Sequence, residues 1–335
     1  MRAGLLVALQ HRGSGMKAAV YRRYGPPDVV QIEDVEKPVP RDDEVLIRVR
    51  AASLNPLDWH FMRGMPRVVR LAAGLGRPKY TGLGTDVAGQ VEAAGESVTR
   101  FRPGDEVFGT CRGAFAEYAR ASEAVLVNKP DPVTFEQAAS APVAAFSALQ
   151  GLRDSGKIQP GQKVLVNGAA GGVGTFAVQI AKWLSADVTG VCSTRNLEMV
   201  RSIGADRVVD YTQEDFTRGA ERFDVILDCV GNRSLAECAR VLVPKGIHVP
   251  VGGSGDQLFA SLIQKLALSL FVSQKLVIFF LAKPNAEDLT IISGLMASGK
   301  VRPVIDKRYK LTEVAEAIRY LEQGHARGKV VVTME

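Results

Sequence analysis

The sequence is poor in the residues on which several kinds of chemistry depend. Only four cysteines occur among 335 residues, at positions 111, 192, 229 and 238, and none stands in a C-x-x-C pair. No secretion signal accompanies them, so reduced thiols in a cytoplasmic setting are expected. The net charge is +6 and the Lys and Arg residues are scattered without a basic block. That distribution gives no electrostatic footprint for nucleic acid. Charge-free apolar runs of bilayer length are also missing. The stretch 1–10 has a six-residue apolar core, and the apolar segment 258–282 is interrupted by Lys265 and Lys275. A transmembrane helix needs about 20 apolar residues, so none is expected. Peripheral membrane contact through 258–271 stays open.

What remains is ordinary for a large soluble protein. Hydrophobic residues make up 46% and charged residues 23%, and the length suffices for two domains. Residues 1–15 read as an extension or a mis-assigned start, because the first evident strand begins at Met16.

One stretch organises the chain, from Lys163 to Lys182. An apolar run, Val164 to Val166, meets a glycine-rich turn, Gly168 to Gly174. Phe176, Ala177, Ile180, Ala181 and Leu184 then recur at helical spacing. Strand, tight turn and helix are the context that a dinucleotide fingerprint requires. The helix N-terminus offers free N–H groups and a positive dipole end to a pyrophosphate. Ala169 stands where the first glycine of G-x-G-x-x-G would fall. The expected contacts in the turn are Ala170, Gly171, Gly172, Val173 and Gly174. Further strands are expected at 187–191, 207–211, 223–228 and 246–251, with helices at 196–203 and 235–242 between them. This alternation predicts a doubly wound parallel sheet with its ligand at the carboxyl ends of the strands. Those ends add Val230, Val251 and Gly252 to the expected cofactor contacts.

The second strand indicates which nucleotide binds. NAD sites usually carry Asp or Glu about 20 residues past the glycines, to hold the ribose 2′-hydroxyl. Here that place reads Cys192-Ser-Thr-Arg195, without a carboxylate. The Arg195 guanidinium suits a 2′-phosphate and Ser193 offers a hydroxyl, so NADPH is the expected cofactor.

Residues 16–130 instead carry short alternating segments punctuated by Pro and Gly. Strands are expected at 29–35, 44–54, 86–94, 105–108 and 114–119, forming a compact β-domain, a partly open barrel. Helices at 134–139 and 142–153 lead into the fingerprint.

Several stretches together carry a family resemblance. They are Ala52-Ser-Leu-Asn-Pro-Leu-Asp58, Gly84-Thr-Asp-Val-Ala-Gly89, Arg102-Pro-Gly-Asp-Glu-Val107, Gly113-Ala-Phe-Ala-Glu-Tyr118, Asn167-Gly-Ala-Ala-Gly-Gly-Val-Gly174 and Gly328-Lys-Val-Val331. The chain resembles the medium-chain dehydrogenase/reductase superfamily, in the zinc-free branch of zeta-crystallin-like quinone oxidoreductases. The resemblance implies an α/β protein: a GroES-like β-barrel catalytic domain split in sequence (16–140 and 285–335) around a Rossmann NADP-binding domain (141–284). It also implies that Tyr211 lies near the adenosine phosphate and Lys329 on the closing C-terminal strand. In zinc-dependent members a Cys and a His stand where this sequence has Asn55 and Thr85, so no metal is expected. His60 and Asp58 alone make no zinc site.

The sequence shows no Ser-Tyr-Lys arrangement for alcohol oxidation. Hydride addition to a quinone or an α,β-unsaturated carbonyl asks less of the protein, because the substrate carbonyl accepts the charge. Asn55 is expected either to donate a hydrogen bond to that oxygen or to hold the nicotinamide ribose. Asp58 is expected either to take part in catalysis or to brace the loop. The expected activity is therefore a zinc-independent NADPH-dependent quinone or enone reductase. The alternatives are an NADP-dependent alcohol dehydrogenase or carbonyl reductase, and an NADPH-binding interaction protein of little activity. The strand Lys275–Leu281, apolar on both faces, predicts a homodimer built by edge pairing.

Overall fold

The computed structural model describes residues 15–67, 69–251, 274–277 and 280–334. The first third forms antiparallel strands. β1 (Gly15–Tyr21) and β2 (Val30–Glu36) pair as a ribbon. β3 (Glu44–Ser53), β4 (Asp86–Ala94), β5 (Glu106–Thr110), β6 (Tyr118–Ser122) and β7 (Leu126–Asn128) join a larger sheet. Its inward residues Val45, Ile47, Val87, Val107 and Leu126 have no exposure, and Phe115 packs with them in one core. Between β3 and β4 lie α1 (Pro56–Arg63) and α2 (Val69–Ala73). The expected strand at 114–119 starts later, at Tyr118. Phe115 and Ala19 bond across single bridges first, Phe115 N–H to the Leu83 carbonyl and Ala19 N–H to the Phe115 carbonyl. Only afterwards does the chain enter register with β3.

Two helices, α3 (Phe135–Ser140) and α4 (Pro142–Gln150), follow. α4 was expected to reach residue 153, but it changes at Gly151 into a π-helical turn, Gly151–Ser155. A side chain at Gly151 would meet Leu227 at 2.8 Å, so glycine lets the helix end lie close against the sheet.

The middle of the chain builds the parallel sheet: β8 (Lys163–Asn167), β9 (Asp187–Cys192), β10 (Arg207–Asp210), β11 (Phe223–Asp228), β12 (Leu242–Pro250) and β13 (Lys275–Leu276). The order β10-β9-β8-β11-β12-β13 is the doubly wound arrangement, with its switch point between β8 and β11. α5 (Gly172–Trp183), α6 (Leu197–Ser202) and α7 (Leu235–Arg240) connect the strands. The helix expected over 196–203 opens as a 3-10 turn, Thr194–Asn196, before α6. β8 and β11 are near-continuous apolar runs because both faces are covered. Val164, Leu165, Val166, Ile226 and Leu227 have no exposure, and Phe146 of α4 and Phe176 of α5 fill the layer between α4 and the sheet.

The chain then returns to the first sheet. After α8 (Ala286–Ala297), β14 (Ile305–Lys310) and β15 (Lys329–Thr333) flank α9 (Val314–Glu322). β15 pairs antiparallel with β3, Val331 opposite Ser53. Gly252, Ile278, Phe279 and the helix expected over 258–271 lie outside the described residues.

Candidate active site

The C-terminal segment joins the two sheets at the fingerprint. Gly328 N–H donates to the Ala170 carbonyl at 2.8 Å, and Gly171 and Gly328 form a parallel bridge. Gly328 has φ +96°, and a Cβ there would lie 2.2 Å from the Val304 carbonyl oxygen, so glycine alone fits. β15 therefore starts on the glycine-rich turn and runs into the barrel beside β3. Inside the turn, Gly174 faces the Gly168 carbonyl so closely that a Cβ would lie 2.1 Å away. Gly171 meets nothing closer than 3.4 Å, which leaves room for a ligand at the start of α5.

The first residue of β15 reaches into a buried polar cluster. Lys329 is 2% exposed, and its stem passes within 3.2 Å of a Cβ built on Gly172. Its ammonium donates to the Leu54 carbonyl (3.1 Å), Asn55 Oδ1 (2.6 Å) and Asp86 Oδ2 (3.4 Å). Asp86 also accepts from Ser53 Oγ (2.9 Å), Asn55 Nδ2 (2.8 Å) and the Val143 N–H that opens α4 (3.0 Å). Burial lowers the Lys329 ammonium below its ordinary value, with Asp86 and Asp58 pulling it back. Asn55 is thus held on both ends of its amide: its oxygen by Lys329, one N–H by Asp86.

Asp58 sits on α1, 4% exposed. One oxygen, Oδ2, accepts the Asn55 N–H at 2.7 Å and so caps the helix, and the other, Oδ1, accepts from Thr85 Oγ at 3.1 Å. Burial pushes its carboxyl up to about 7, against the hydrogen bond from Asn55. Thr85, half-buried, stands at the rim of this cluster. Its part is invisible in an isolated sequence, although Gly84-Thr85-Asp86 borders β4. Cys111 lies in the same neighbourhood, its N–H on the Thr85 carbonyl. Burial, then Asp86 and Asp58, push its thiol up.

A second polar site lies at the carboxyl ends of β9 and β10. Ser193, Thr194, Arg195, Tyr211 and His325 line a pocket of about 280 Å³. Arg195 Nη2 donates to the His325 carbonyl at 2.9 Å, and Tyr211 is 53% exposed. The region does hold a carboxylate, supplied by the next strand. Asp210 accepts from Thr194 Oγ (2.5 Å) and from Thr212 N–H and Oγ (3.0 and 2.8 Å). The Thr194 hydroxyl foremost holds Asp210 below the ordinary carboxylate range. With its oxygens so engaged, it is not the free partner that a ribose 2′-hydroxyl requires. Val230 (42% exposed) and Val251 follow the ends of β11 and β12, with Val230 against Gly168 of the glycine-rich turn.

A fold of two sheets joined in this way, with a glycine-rich turn at their junction, defines a dinucleotide-dependent dehydrogenase or reductase. Residues 41–131 match the alcohol dehydrogenase GroES-like domain family, and residues 203–332 match the family described as zinc-binding dehydrogenase. The chain is 33% identical over 335 residues to the chloroplast envelope quinone oxidoreductase homolog of Arabidopsis thaliana, covering 96% of this chain and 99% of that protein. It is 33% identical over 337 residues to the chloroplastic NADPH-dependent alkenal/one oxidoreductase of the same plant, covering 95% of this chain and 79% of that one. Among solved structures, the quinone oxidoreductase from Coxiella burnetii superposes with a TM-score of 0.85 at 30% identity, over 96% of this chain and 100% of that one. The chain belongs to the medium-chain dehydrogenase/reductase superfamily, in its quinone oxidoreductase-like branch.

Proposed function

We propose that the protein is an NADPH-dependent reductase of quinones or α,β-unsaturated carbonyls, working without zinc. The reading rests first on the buried cluster. Where zinc-dependent members carry a Cys and a His, this chain has the Asn55 amide and the Thr85 hydroxyl, which do not fit a catalytic zinc site of three Cys, His, Asp or Glu ligands. The Lys329 ammonium already neutralises the adjoining Asp86, so no step is routed through a metal. NADPH does fit the chain: Gly171 and Gly172 with the N-terminus of α5 suit the pyrophosphate, and Ser193, Arg195 and Tyr211 suit the 2′-phosphate. Val230 and Val251 are proposed to line its path, and Lys329 to fix the Asn55 loop beside the nicotinamide; the expected contact Gly252 lies outside the described residues. Bound there, NADPH supplies the hydride.

The names of two relatives, a quinone oxidoreductase homolog and an NADPH-dependent alkenal/one oxidoreductase, agree with this substrate class. The decisive experiment is NADPH oxidation with a metal chelator present, against enones, quinones, saturated ketones and alcohols. Turnover of the first two classes is expected. Turnover of only the last two would replace this reading by an alcohol dehydrogenase, and binding without any turnover by an interaction protein.

We also propose a homodimer. Of the expected strand Lys275–Leu281, only Lys275–Leu276 among the described residues is strand (β13), and among those residues it lies at the end of the parallel sheet, where an edge left without a neighbour would invite its own copy. Four free cysteines suit a reducing compartment, and we place the protein in the cytoplasm. Among the described residues no helix is long and apolar enough to cross a membrane.

A further inference from the structure

We infer that Thr85 is the proton donor of the reaction and that Asp58 reloads it, forming a two-residue relay from the buried cluster to the cleft. The inference rests on the enone-reductase reading above. It starts from the two oxygens of Asp58. Oδ2 is committed to the Asn55 N–H at 2.7 Å, so a proton on this carboxyl belongs on Oδ1, which faces Thr85 Oγ at 3.1 Å. When Asp58 is ionised, the Thr85 hydroxyl is spent donating to it. When Asp58 is protonated, the bond reverses: Asp58 donates, Thr85 accepts, and the threonine hydrogen turns toward the half-exposed rim.

The neighbouring groups are poor competitors. Lys329 has three hydrogens and three acceptors. The Asn55 amide is tied to Asp86 and Lys329. Burial pushes the Tyr21 phenol up to about 12 and raises the Cys111 thiol. His60 Nδ1 bonds to the Met65 carbonyl. Asp58 itself feels Asp86 raising its affinity for a proton and Lys329 lowering it, and burial carries it to about 7, where an acid works best near neutral pH.

The step balances as follows. An enone that has accepted a hydride at its β-carbon carries the former C=C electron pair as an enolate. Its α-carbon takes the Thr85 hydrogen, a C–H bond forming as the O–H bond breaks. Thr85 Oγ regains a proton from Asp58 Oδ1, and the carboxylate left behind is reprotonated from water. The net consumption is one hydride and one proton per C=C bond reduced.

Two measurements test the relay. The first is infrared titration of the free protein, with Asp58→Asn as reference. A protonated-carboxyl C=O band lost in D58N should titrate near pH 7, and its disappearance below pH 5 would overturn the relay. The second is kinetics with an enone. T85V and D58N should each lower kcat by roughly 10²-fold, as a lost general acid does, and should raise the solvent isotope effect. T85S should retain most of the rate. Wild-type kcat should fall above about pH 7 and that of D58N should not. An active wild type with a fully active T85V and an unshifted pH profile overturns the relay but leaves the function. A wild type that oxidises NADPH with no enone removes both.

Discussion

The polar groups around Lys329 satisfy one another, whereas those around Arg195 face outward. In the first site, Lys329, Asn55, Asp58 and Asp86 are each at most 4% exposed and their donors and acceptors meet. In the second, Arg195 and Tyr211 are exposed, and the Arg195–His325 bond ties the pocket to the C-terminal segment. Low dielectric makes a satisfied buried network rigid and its disruption costly. An exposed site costs little to keep open and can admit a phosphate from water. One site is thus built to hold its own shape, and the other is open to solvent, as the proposed 2′-phosphate site requires. The segment 325–329 touches both, His325 at the outward pocket and Lys329 in the buried cluster, and its Gly328 rests on the fingerprint turn.

The largest effect should come from breaking the buried site. Asp86→Ala strips an acceptor from Lys329, Asn55, Ser53 and the Val143 N–H. Removing one partner of a buried ion pair costs about 3–5 kcal/mol. Urea unfolding should show that loss, and a change below about 1 kcal/mol would mean that the cluster is not cohesive. The double variant Asp86→Ala, Lys329→Met should recover part of it.

Asp58 gives the next effect, through pH. Its carboxyl lies near 7 when folded against an ordinary 3.8, so between those values the native state holds more protons than the unfolded state. Stability contributed by this group is present below about pH 4 and is lost as pH rises through about 7. A shift of this size corresponds to about 4 kcal/mol at most. D58N should therefore gain on the wild type as pH rises across that window, as measured by thermal unfolding in parallel buffers. Equal pH dependence of the two proteins would show that Asp58 titrates normally.

The outward site predicts a change in ligand preference instead. Arg195→Ala should weaken NADPH binding by about 1.5–3 kcal/mol, roughly tenfold to a hundredfold, and leave NADH nearly untouched. Fluorescence titration with both nucleotides decides this. Equal loss for both would place Arg195 away from the 2′-phosphate.

The outward site was also the more legible in the sequence. Strand periodicity fixed β8, β9 and β11 to within a residue or two, and Ser193 and Arg195 follow β9 directly. The buried cluster is assembled from β3, α1, β4 and β15, separated by up to 275 positions in the chain. Short-range patterns contain no such information. Resemblance singles out Asn55, Asp58 and Lys329, but their mutual bonds, the engaged Asn55 amide and the bond from Thr85 to Asp58 arise only where distant segments meet in the fold. Asp210 escaped for a related reason: it lies in the next strand, while the expected acidic position was counted along the chain. The late start of β6 and the π-turn at Gly151 depend on what packs against them, which local sequence does not state.

The smallest predicted effect separates the two properties of the outward site, its shape and its affinity. Ser193 Oγ accepts from Asn196 Nδ2 at 3.2 Å. Asn196 is 6% exposed, and its Oδ1 has no hydrogen-bond partner. Ser193→Ala would therefore remove the proposed phosphate donor and also leave the Asn196 amide without that acceptor. A neutral hydrogen bond contributes about 0.5–1.5 kcal/mol, so NADPH should weaken roughly twofold to tenfold, less than for Arg195→Ala. Orphaning a buried amide costs about 1–3 kcal/mol when water cannot replace the partner. The half-exposed position of Ser193 puts the stability loss at the low end, near 1 kcal/mol. The paired variant Ser193→Ala, Asn196→Ala removes the orphaned group, so it should recover stability while leaving NADPH weakened. Affinity and stability recovering together would mean that Ser193 shapes the pocket without touching the phosphate.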